Sequence, residues 1–496
     1  MSRHKWVANL SALSFAASDG SVMMVLSVRN LSLAAALVST SVGPAVSEAE
    51  QVAPTVVTID AGTVRGIAAD GIIRFKGIPY AAPPVGPLRW RAPQPMKTWQ
   101  GIRAAEQFGP SCMQPRDLAA SEDCLTLNIW RPAATLVAPL PVMVWIHGGA
   151  LEVGGSTDIS GDTLARQGVI VVSMNYRLGR LGFFAHPALL AETPDELHGN
   201  YGYMDQLSAL QWIKRNISAF GGDPSAVTIF GESAGGGSVV VHLTSPLSRG
   251  LFQRAIMQSA AIPTSRAKVT PLTELTAAEQ MAVEYARSIK VEGDGQTALN
   301  ALRALPARKL VEGASRTGLA GSIRDGKLVV ETPEAVLAAG GQAMVPVIIG
   351  ANDRDLGIGV ATSKQALFAL FGPDADEAGK LYESKGDQTF DELKQQAFVD
   401  KTMFEPARHL ADEMVRAGQP AWVYRFSYVP EAERGEVKGA LHAREIAYAF
   451  GNPAAQVGGK ATAADKAMGE LVSAYWVSFG KSGDPNGERR PEWPQH

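Results

Sequence analysis

The serine at position 233 lies in a sequence context that could make it a nucleophile. An apolar, β-branched run, Val227–Phe230, leads into Gly-Glu-Ser-Ala-Gly at 231–235, and a helix-compatible run, Ser238–Leu243, follows. This order predicts a strand, a very tight turn and a helix, with the Ser233 hydroxyl at the apex and the Ala234 N–H opening the helix. The two glycines would let the strand and the helix approach without a side-chain clash. Because glycine is abundant in this chain, the pattern alone also fits a glycine-rich loop, and only a base elsewhere would make the serine reactive.

The elements that would position this serine follow an alternating order along the chain. Continuous apolar runs, typical of buried parallel strands, occupy residues 142–146, 169–173, 227–230, 255–258, 345–349 and 423–428. A helical pattern covers Tyr203–Ser218, and the segment from Leu275 to Val311 reads as helical throughout and would form a cap. The prediction is an α/β fold with a mostly parallel central sheet, in one domain that spans residues 48–496.

The composition of the chain argues against two classes of protein, those that bind nucleic acid and those that span a membrane. The chain has 496 residues, of which 46% are hydrophobic and 19% are charged, as in ordinary globular proteins. The formal net charge of −3 and the lack of a basic block argue against a nucleic-acid partner. No apolar run reaches the roughly 18 residues that a membrane-spanning helix needs.

The N-terminal residues have the pattern of an export signal. An apolar run, Leu31–Val38, follows an arginine, and small residues lead to a cleavage site before Glu48. Residues 1–47 are therefore interpreted as a leader, which fits best if translation starts at Met23 or Met24 rather than at Met1. The alternative is a disordered tail. A leader predicts a secreted or periplasmic protein.

The two cysteines of the chain are close together in sequence. In an exported protein, a pair such as Cys112 and Cys124 favours one disulfide. The bridge would close a loop of about a dozen residues and stabilise the fold by roughly 3 kcal/mol on the chain-entropy model. Two free thiols are the alternative, and a zinc site is not favoured because no paired histidines lie nearby.

Several short motifs are spread over the chain after residue 48. They are Phe-Lys-Gly-Ile-Pro-Tyr-Ala at 75–81, Glu-Asp-Cys-Leu-Thr-Leu-Asn at 122–128, Gly-Asn-Tyr-Gly at 199–202, Phe-Gly-Gly-Asp-Pro at 220–224 and Gly-Asp-Pro-Asn at 483–486. This set resembles the type-B carboxylesterase family, the cholinesterase-like branch of the α/β-hydrolases. The resemblance implies an α/β-hydrolase fold with helical cap insertions, and it implies that Cys112 and Cys124 form the family's first disulfide. Family members continue past the Trp-Pro pair at 493–494, so this chain is expected to be a shortened product.

The histidine that serves Ser233 should come last in the chain order of an α/β-hydrolase. Three histidines follow the serine at a useful distance. His242 belongs to the helix that starts at the serine and is expected in the core, and His409 lies in a helical pattern. His442 follows the strand at 423–428, in a loop that resembles the family's histidine loop. We therefore predict His442 as the base.

The acid that orients the histidine should follow a strand between the two. The strand at 345–349 ends in Gly-Ala-Asn-Asp-Arg-Asp at 350–355. The family's acid is the sixth residue of this motif and is usually glutamate, so the resemblance assigns the role to Asp355. Aspartate can do the same electrostatic work, but the loop must come about one carbon closer. Asp353 is the alternative, and either residue could merely cap a turn.

Backbone N–H groups near the serine could stabilise a developing oxyanion. By resemblance, the N–H groups of Gly149, Ala150 and Ala234 would form this oxyanion hole. Ala150 replaces the family's common third glycine, a change that a backbone donor survives, and Leu151 replaces the usual phenylalanine. His147 precedes these residues and is interpreted as structural. Three further residues match the family's buried polar network and are expected to support the site, with ordinary structural hydrogen bonding as the alternative: Glu232, Ser259 and Glu445.

These residues predict a serine hydrolase that cleaves a small-molecule carboxylic ester through an acyl-enzyme intermediate, without metal or cofactor. One alternative is an amide or thioester hydrolase that uses the same Ser233, Asp355 and His442. A second alternative is a catalytically inactive, cholinesterase-like binding protein. The presence of all three side chains argues against the second alternative.

Overall fold

The fold was analysed in a computed structural model. It describes residues 53–260, 262, 272–312, 321–356, 361–384, 386 and 388–496, together with the backbone of residues 15–18 and 21–26. The strands of these residues, in chain order, are β1 (Phe15–Ser18), β2 (Ser21–Leu26), β3 (Val56–Ile59), β4 (Gly62–Arg65), β5 (Ile67–Ala69), β6 (Ile72–Pro79), β7 (Ile102–Ala104), β8 (Thr126–Pro132), β9 (Leu140–Ile146), β10 (Ile170–Met174), β11 (Phe183–Phe184), β12 (Gly199–Asn200), β13 (Gly222–Glu232), β14 (Arg254–Gln258), β15 (Thr273–Glu274), β16 (Ile323–Arg324), β17 (Val347–Asn352) and β18 (Ala421–Phe426).

Among the described residues, the α-helices begin after β9, and the last three follow β18. In chain order they are α1 (Asp162–Arg166), α2 (Gly179–Gly182), α3 (Pro187–Glu192), α4 (Tyr201–Asn216), α5 (Ala234–Thr244), α6 (Leu275–Ser288), α7 (Gln296–Ala304), α8 (Ala307–Val311), α9 (Pro333–Ala338), α10 (Lys364–Phe368), α11 (Ala375–Glu383), α12 (Phe390–Val399), α13 (Glu405–Arg416), α14 (Ile446–Ala449), α15 (Ala454–Val457) and α16 (Ala463–Ser482). A π-helical turn, Asp400–Phe404, joins α12 to α13.

One large sheet organises the molecule. Its strand order is β1-β2-β18-β17-β14-β13-β9-β10-β8-β6-β5. The pairs from β2 to β10 are parallel, and the pairs at both margins are antiparallel. The predicted α/β fold is confirmed. The antiparallel strands β5, β6 and β8 were not predicted, because β5 is only three residues long and polar residues interrupt β6 and β8.

Both faces of the sheet are covered, which explains the continuous apolar runs of its central strands. Along β9, Val142, Val144 and Ile146 pack on one face with α4, α5 and α13. Met143 and Trp145 point to the opposite face and pack with α1 and α16. Since neighbouring side chains of a strand point to opposite faces, a strand buried on both sides must be apolar at every position.

The predicted helical cap is confirmed, and it consists of three helices. α6, α7 and α8 cover the segment 275–311, with breaks at the glycines around 293–295 and at Pro306. Ala282, Leu299 and Leu302 are buried against α2, α3 and α4. A salt bridge between Arg303 and Glu192, with both N···O contacts at 2.8 Å, ties α7 to α3.

The predicted disulfide is present. Cys112 and Cys124 are joined, and Cys124 is fully buried. Beside the bridge, Glu122 forms a two-pronged salt bridge with Arg89, with both N···O distances at 2.7 Å. The Arg89 guanidinium also donates to backbone carbonyls at the end of α7, so the disulfide loop and the cap are connected through one cation.

The predicted leader falls almost entirely on residues outside the described ranges. Its apolar run, Leu31–Val38, and its cleavage site before Glu48 belong to those residues, so the leader remains a prediction. Two parts of it are described: β1 pairs with β2, and β2 pairs in parallel with β18 at the edge of the sheet. No helix of the described residues has the length and apolarity required to cross a bilayer.

Candidate active site

The candidate site lies at the carboxyl edge of the parallel strands. Ser233 directly follows β13, Asp355 follows β17, and His442 lies in the connection after β18. The strands β13, β14, β17 and β18 are neighbours, and their register places Glu232, Gln258, Gly350 and Tyr424 in one row across the sheet. Because parallel strands end at the same edge, residues that are distant in sequence meet there.

The turn at Ser233 has the strained backbone that the sequence predicts. Ser233 has φ 57° and ψ −121°, a region that non-glycine residues rarely adopt. Its N–H donates to the carbonyl of Gln258 over 2.9 Å, and α5 begins at the next residue. The strain is held by β14 on one side and by α5 on the other, so the serine stays at the apex of the turn.

The glycines on either side of the serine are required by close backbone contacts, as predicted. A Cβ on Gly235 would lie 2.1 Å from the carbonyl oxygen of Ile146, and one on Gly231 would lie 2.6 Å from the carbonyl carbon of Gly235. Both positions are far inside van der Waals contact, so any side chain would force the strand and the helix apart. The turn can be this tight only with glycine at both positions.

The predicted oxyanion residues form a loop in left-handed conformation beside the serine. Gly149, Ala150 and Leu151 have φ values of 101°, 58° and 61°. Gly148 approaches Ser233 closely, since a Cβ built on this glycine would lie 3.2 Å from the serine Cβ. Among the described residues, the N–H groups of Gly149 and Ala150 make no hydrogen bond. The N–H of Ala234, at the first position of α5, also has no helical partner.

His147 supports this loop from behind. Its ring is buried and stacks on Tyr176, with ring centroids 4.3 Å apart. The Nδ1 atom is 2.9 Å from the carbonyl oxygen of Gly148, and the Tyr176 hydroxyl donates to the carbonyl of His147. Burial lowers the pKa of His147, which favours the neutral ring. These contacts agree with the structural interpretation of His147.

The predicted acid and the predicted histidine are in contact. Asp355 Oδ1 lies 2.5 Å from His442 Nδ1. The Asp355 carboxylate is buried, and it also accepts from the N–H groups of Leu356, at 2.7 Å, and Asn352, at 3.0 Å. These three contacts hold the carboxylate in one orientation, and the tight turn brings the short aspartate side chain within reach of the imidazole.

The other nitrogen of the imidazole faces a second carboxylate. His442 Nε2 is 3.2 Å from Glu232 Oε1, and no hydrogen bond joins the Ser233 hydroxyl to His442 among the described residues. Burial lowers the pKa of His442, but the hydrogen bond to Asp355 and the charges of Glu232, Asp355 and Glu445 outweigh it and raise the pKa to about 9. Burial, with the nearby charge of Glu445, raises the pKa of Glu232 well above its usual value.

The remaining predicted support residues lie around this pair. Glu445 is buried and accepts from the side-chain amides of Asn352, at 2.5 Å, and Gln258, at 3.1 Å. Burial raises the pKa of Glu445, and the negative charge of Asp355 adds to the effect. Ser259 is buried with φ 46°, and its N–H donates to the carbonyl of Gly350. The structure therefore brings all three residues to the site.

The alternative histidines lie elsewhere, and the alternative acid has a role that the sequence did not suggest. His242 is in the core, as expected, with ring nitrogens near Ser248 and Gln206, and burial lowers its pKa to about 4. His409 lies on α13. Asp353 is neither the acid that contacts His442 nor a fully exposed turn residue. It is partly buried, and its carboxylate accepts from the N–H of Ala440 over 2.7 Å.

Sequence reasoning missed several residues that hold the acid and histidine loops. Asn352 and Gln258 belong to strands, and the sequence does not indicate which residue their side-chain amides contact. On α12, Gln395 donates to the carbonyl of Asp355 over 2.8 Å. From the same helix, Glu392 Oε1 accepts from Nζ of Lys438, which precedes the histidine loop, over 2.6 Å. The spacing along α12 shows only that Glu392 and Gln395 share a face, not what that face contacts.

Comparison with known proteins identifies the family of this chain. A family model described as the carboxylesterase family matches residues 53–369 and 375–496. The chain is 36% identical over 469 residues to fumonisin B1 esterase of Sphingopyxis macrogoltabida, covering 88% of this chain and 83% of that protein. It is 35% identical over 477 residues to para-nitrobenzyl esterase of Bacillus subtilis (strain 168), covering 89% of this chain and 92% of the relative.

A solved structure of PNB esterase is also similar to this fold. It superposes with a TM-score of 0.77 at 33% identity, and the match covers 90% of this chain and 94% of that chain. The family match, the two esterase relatives and the shared fold all extend over most of the chain. The chain therefore belongs to the carboxylesterase family and is a carboxylic ester hydrolase.

Proposed function

We propose that the enzyme hydrolyses esters by nucleophilic catalysis through an acyl-enzyme on Ser233. His442 removes the proton from the serine hydroxyl, and the oxygen attacks the ester carbonyl. The oxyanion of the tetrahedral intermediate is stabilised by the N–H groups of Gly149, Ala150 and Ala234. His442 then protonates the leaving alcohol, and a water molecule repeats the sequence on the acyl group, which regenerates the serine.

The observation that carries this proposal is the 2.5 Å contact between Asp355 and His442 at the carboxyl edge that also holds Ser233. An acid at Nδ1 fixes the tautomer in which Nε2 can accept a proton and stabilises the imidazolium that forms. Catalysis also requires donors that stabilise the negative charge of the oxyanion. The N–H groups of Gly149 and Ala150, which make no hydrogen bond among the described residues, are suited to this role. A small-molecule ester is the substrate class that this arrangement serves.

We expect Ser233→Ala to abolish ester hydrolysis without unfolding the protein. Loss of a triad nucleophile lowers turnover on the order of a millionfold in the best-studied serine hydrolase series. Hydrolysis of nitrophenyl esters and covalent labelling by a fluorophosphonate measure the effect. Ser225→Ala, an exposed serine near the other end of the same strand, is the matched control and should behave as wild type. Substantial residual turnover in Ser233→Ala would contradict the proposal.

We expect Asp355→Asn to lower turnover by on the order of ten-thousandfold, because the amide favours the wrong tautomer of His442 while it preserves the shape of the site. Asp355→Glu should also be impaired, since the carboxylate already lies 2.5 Å from the ring and leaves little room for another methylene. Steady-state kinetics on both variants, with Asp162→Asn as a partly buried control far from the site, test this. Near-normal turnover of Asp355→Asn would exclude Asp355 as the acid.

The raised pKa of His442 predicts a pH dependence. General-base catalysis requires the neutral imidazole, so kcat/KM should fall as the pH drops through a pKa above the ordinary value for histidine. Glu232→Gln removes one negative charge from beside Nε2, and the inflection should therefore move to lower pH. The exposed Glu488 provides the control variant Glu488→Gln, which should leave the profile unchanged. An inflection that stays in place would show that Glu232 carries no charge in the free enzyme.

We also propose that the protein is exported, with Glu48 near the start of the mature chain. The disulfide between Cys112 and Cys124 supports an oxidising compartment. Cleavage before Glu48 would remove β1 and β2 and leave β18 as the edge strand of the sheet. N-terminal sequencing of protein isolated from its native cells tests the proposal, and an intact Met1 on cytoplasmic protein would contradict it.

A further inference from the structure

The loop that carries the acid and the loop that carries the histidine run side by side in parallel. Asp355 Oδ1 contacts the His442 ring at 2.5 Å, and Asp353 Oδ1 accepts from the N–H of Ala440 at 2.7 Å. The two contacts have the same offset of 87 positions in the chain. Both carboxylates therefore reach across to the neighbouring loop, one to the backbone and the next to the imidazole.

Backbone and amide contacts complete this pairing. Arg354 and Leu441 form a parallel bridge between the two loops, and the N–H of Arg354 donates to the carbonyl of Ala440 over 3.0 Å. The side-chain amide of Asn352 donates to the carbonyl of Leu441 over 2.7 Å. The N–H of Ala440 donates to the Asp353 carboxylate, a side chain, rather than to a backbone carbonyl of the neighbouring loop. The carboxylate thus takes the place of a backbone acceptor.

The charges near Asp353 and the close packing of the two loops are consistent with a carboxylate that accepts from the Ala440 N–H. Burial raises its pKa, while the positive charges of Arg425 and Arg354 and the hydrogen bond from Ala440 act in the opposite direction. A Cβ built on Gly439 would lie 2.7 Å from Asp353 Oδ1 and 2.7 Å from Arg354 Cγ. The two loops therefore approach as closely as a glycine allows at the position next to the hydrogen bond.

We propose that Asp353 is a positioning residue that sets the distance between His442 and Asp355 by holding the peptide N–H of Ala440. This proposal deepens the proposed function, since it rests on His442 and Asp355 acting with Ser233. The reason is geometric: Ala440 lies two residues before His442, and Asp353 lies two residues before Asp355. Without the first contact, the histidine loop can slide along or away from the acid loop, and the imidazole loses its partner.

The test compares Asp353→Ala, which removes the acceptor, with Asp353→Asn, which keeps an acceptor oxygen but no charge. Active sites are counted by fluorophosphonate labelling, so that kcat refers to folded enzyme only. We expect kcat of Asp353→Ala to fall by about tenfold to a hundredfold, as expected for a displaced catalytic group, with little change in KM. Asp353→Asn should retain most of the activity. Asp162→Ala removes another partly buried, hydrogen-bonded carboxylate and serves as the control.

The pH profile separates positioning from a general loss of stability. Asp355, Glu232 and Glu445 face the imidazole, and the contact with Asp355 is the one that joins the imidazole to the acid loop. In Asp353→Ala, the inflection of kcat/KM should move toward the ordinary pKa of histidine, because the hydrogen bond to Asp355 weakens. A far-downfield proton resonance from the Nδ1–H of His442 should move upfield in parallel, because the hydrogen bond is weaker. Loss of folded protein alone would change neither the position of the inflection nor the chemical shift.

A second variant tests the same contact in case Asp353→Ala does not fold. Gly439→Ala pushes against Asp353 and Arg354 without removing a charge, and it should reproduce the fall in kcat and the shifted inflection. The proposal is overturned if both Asp353→Ala and Gly439→Ala match the control, or if Asp353→Asn is as impaired as Asp353→Ala. Failure of fluorophosphonate to label Ser233 in the wild type would instead refute the proposed function itself.

Discussion

Three carboxylates are buried around one imidazole, and the rest of the site follows from this concentration of negative charge. Glu232, Asp355 and Glu445 are each almost fully buried, and the His442 imidazole lies in the field of all three. Like charges at close range cannot all remain ionised in a medium of low polarity without compensation. Burial and the neighbouring charges raise the pKa of Glu232 and Glu445, and hydrogen-bond donors stabilise the negative charge on Glu445 and Asp355.

The donors come from the sheet and from two helices. Gln258 and Asn352, on neighbouring parallel strands, donate their amides to Glu445, and Trp476 donates its indole N–H to Gln258 from α16. Gln395, on α12, donates to the carbonyl of Asp355. The acids are therefore fixed by groups that belong to regular elements, and elements of this kind hold side chains more rigidly than loops do.

The sequence was sufficient to predict much of this, and the reasons differ from residue to residue. The strand, turn and helix around Ser233 were predictable because glycines at 231 and 235 permit a close backbone approach that other residues would prevent. The backbone contacts of Gly231 and Gly235 confirm that prediction. The apolar runs were recognisable because central strands are buried on both faces. The roles of Asp353 and Gln395 could not be predicted, because each depends on a contact between segments that only the folded chain brings together.

The parallel bridge between the acid and histidine loops also determines where the chain can change in length. The helices α10 to α13 lie between the two loops, and an insertion or deletion within them alters both cross-loop contacts by the same number of positions. The pairing is then unaffected, provided that the helices still pack. A single insertion or deletion among residues 353–355, or among 440–442, would leave one contact in register and move the other out of register. These two three-residue segments therefore tolerate no insertion or deletion, whereas the long segment between them can vary in length.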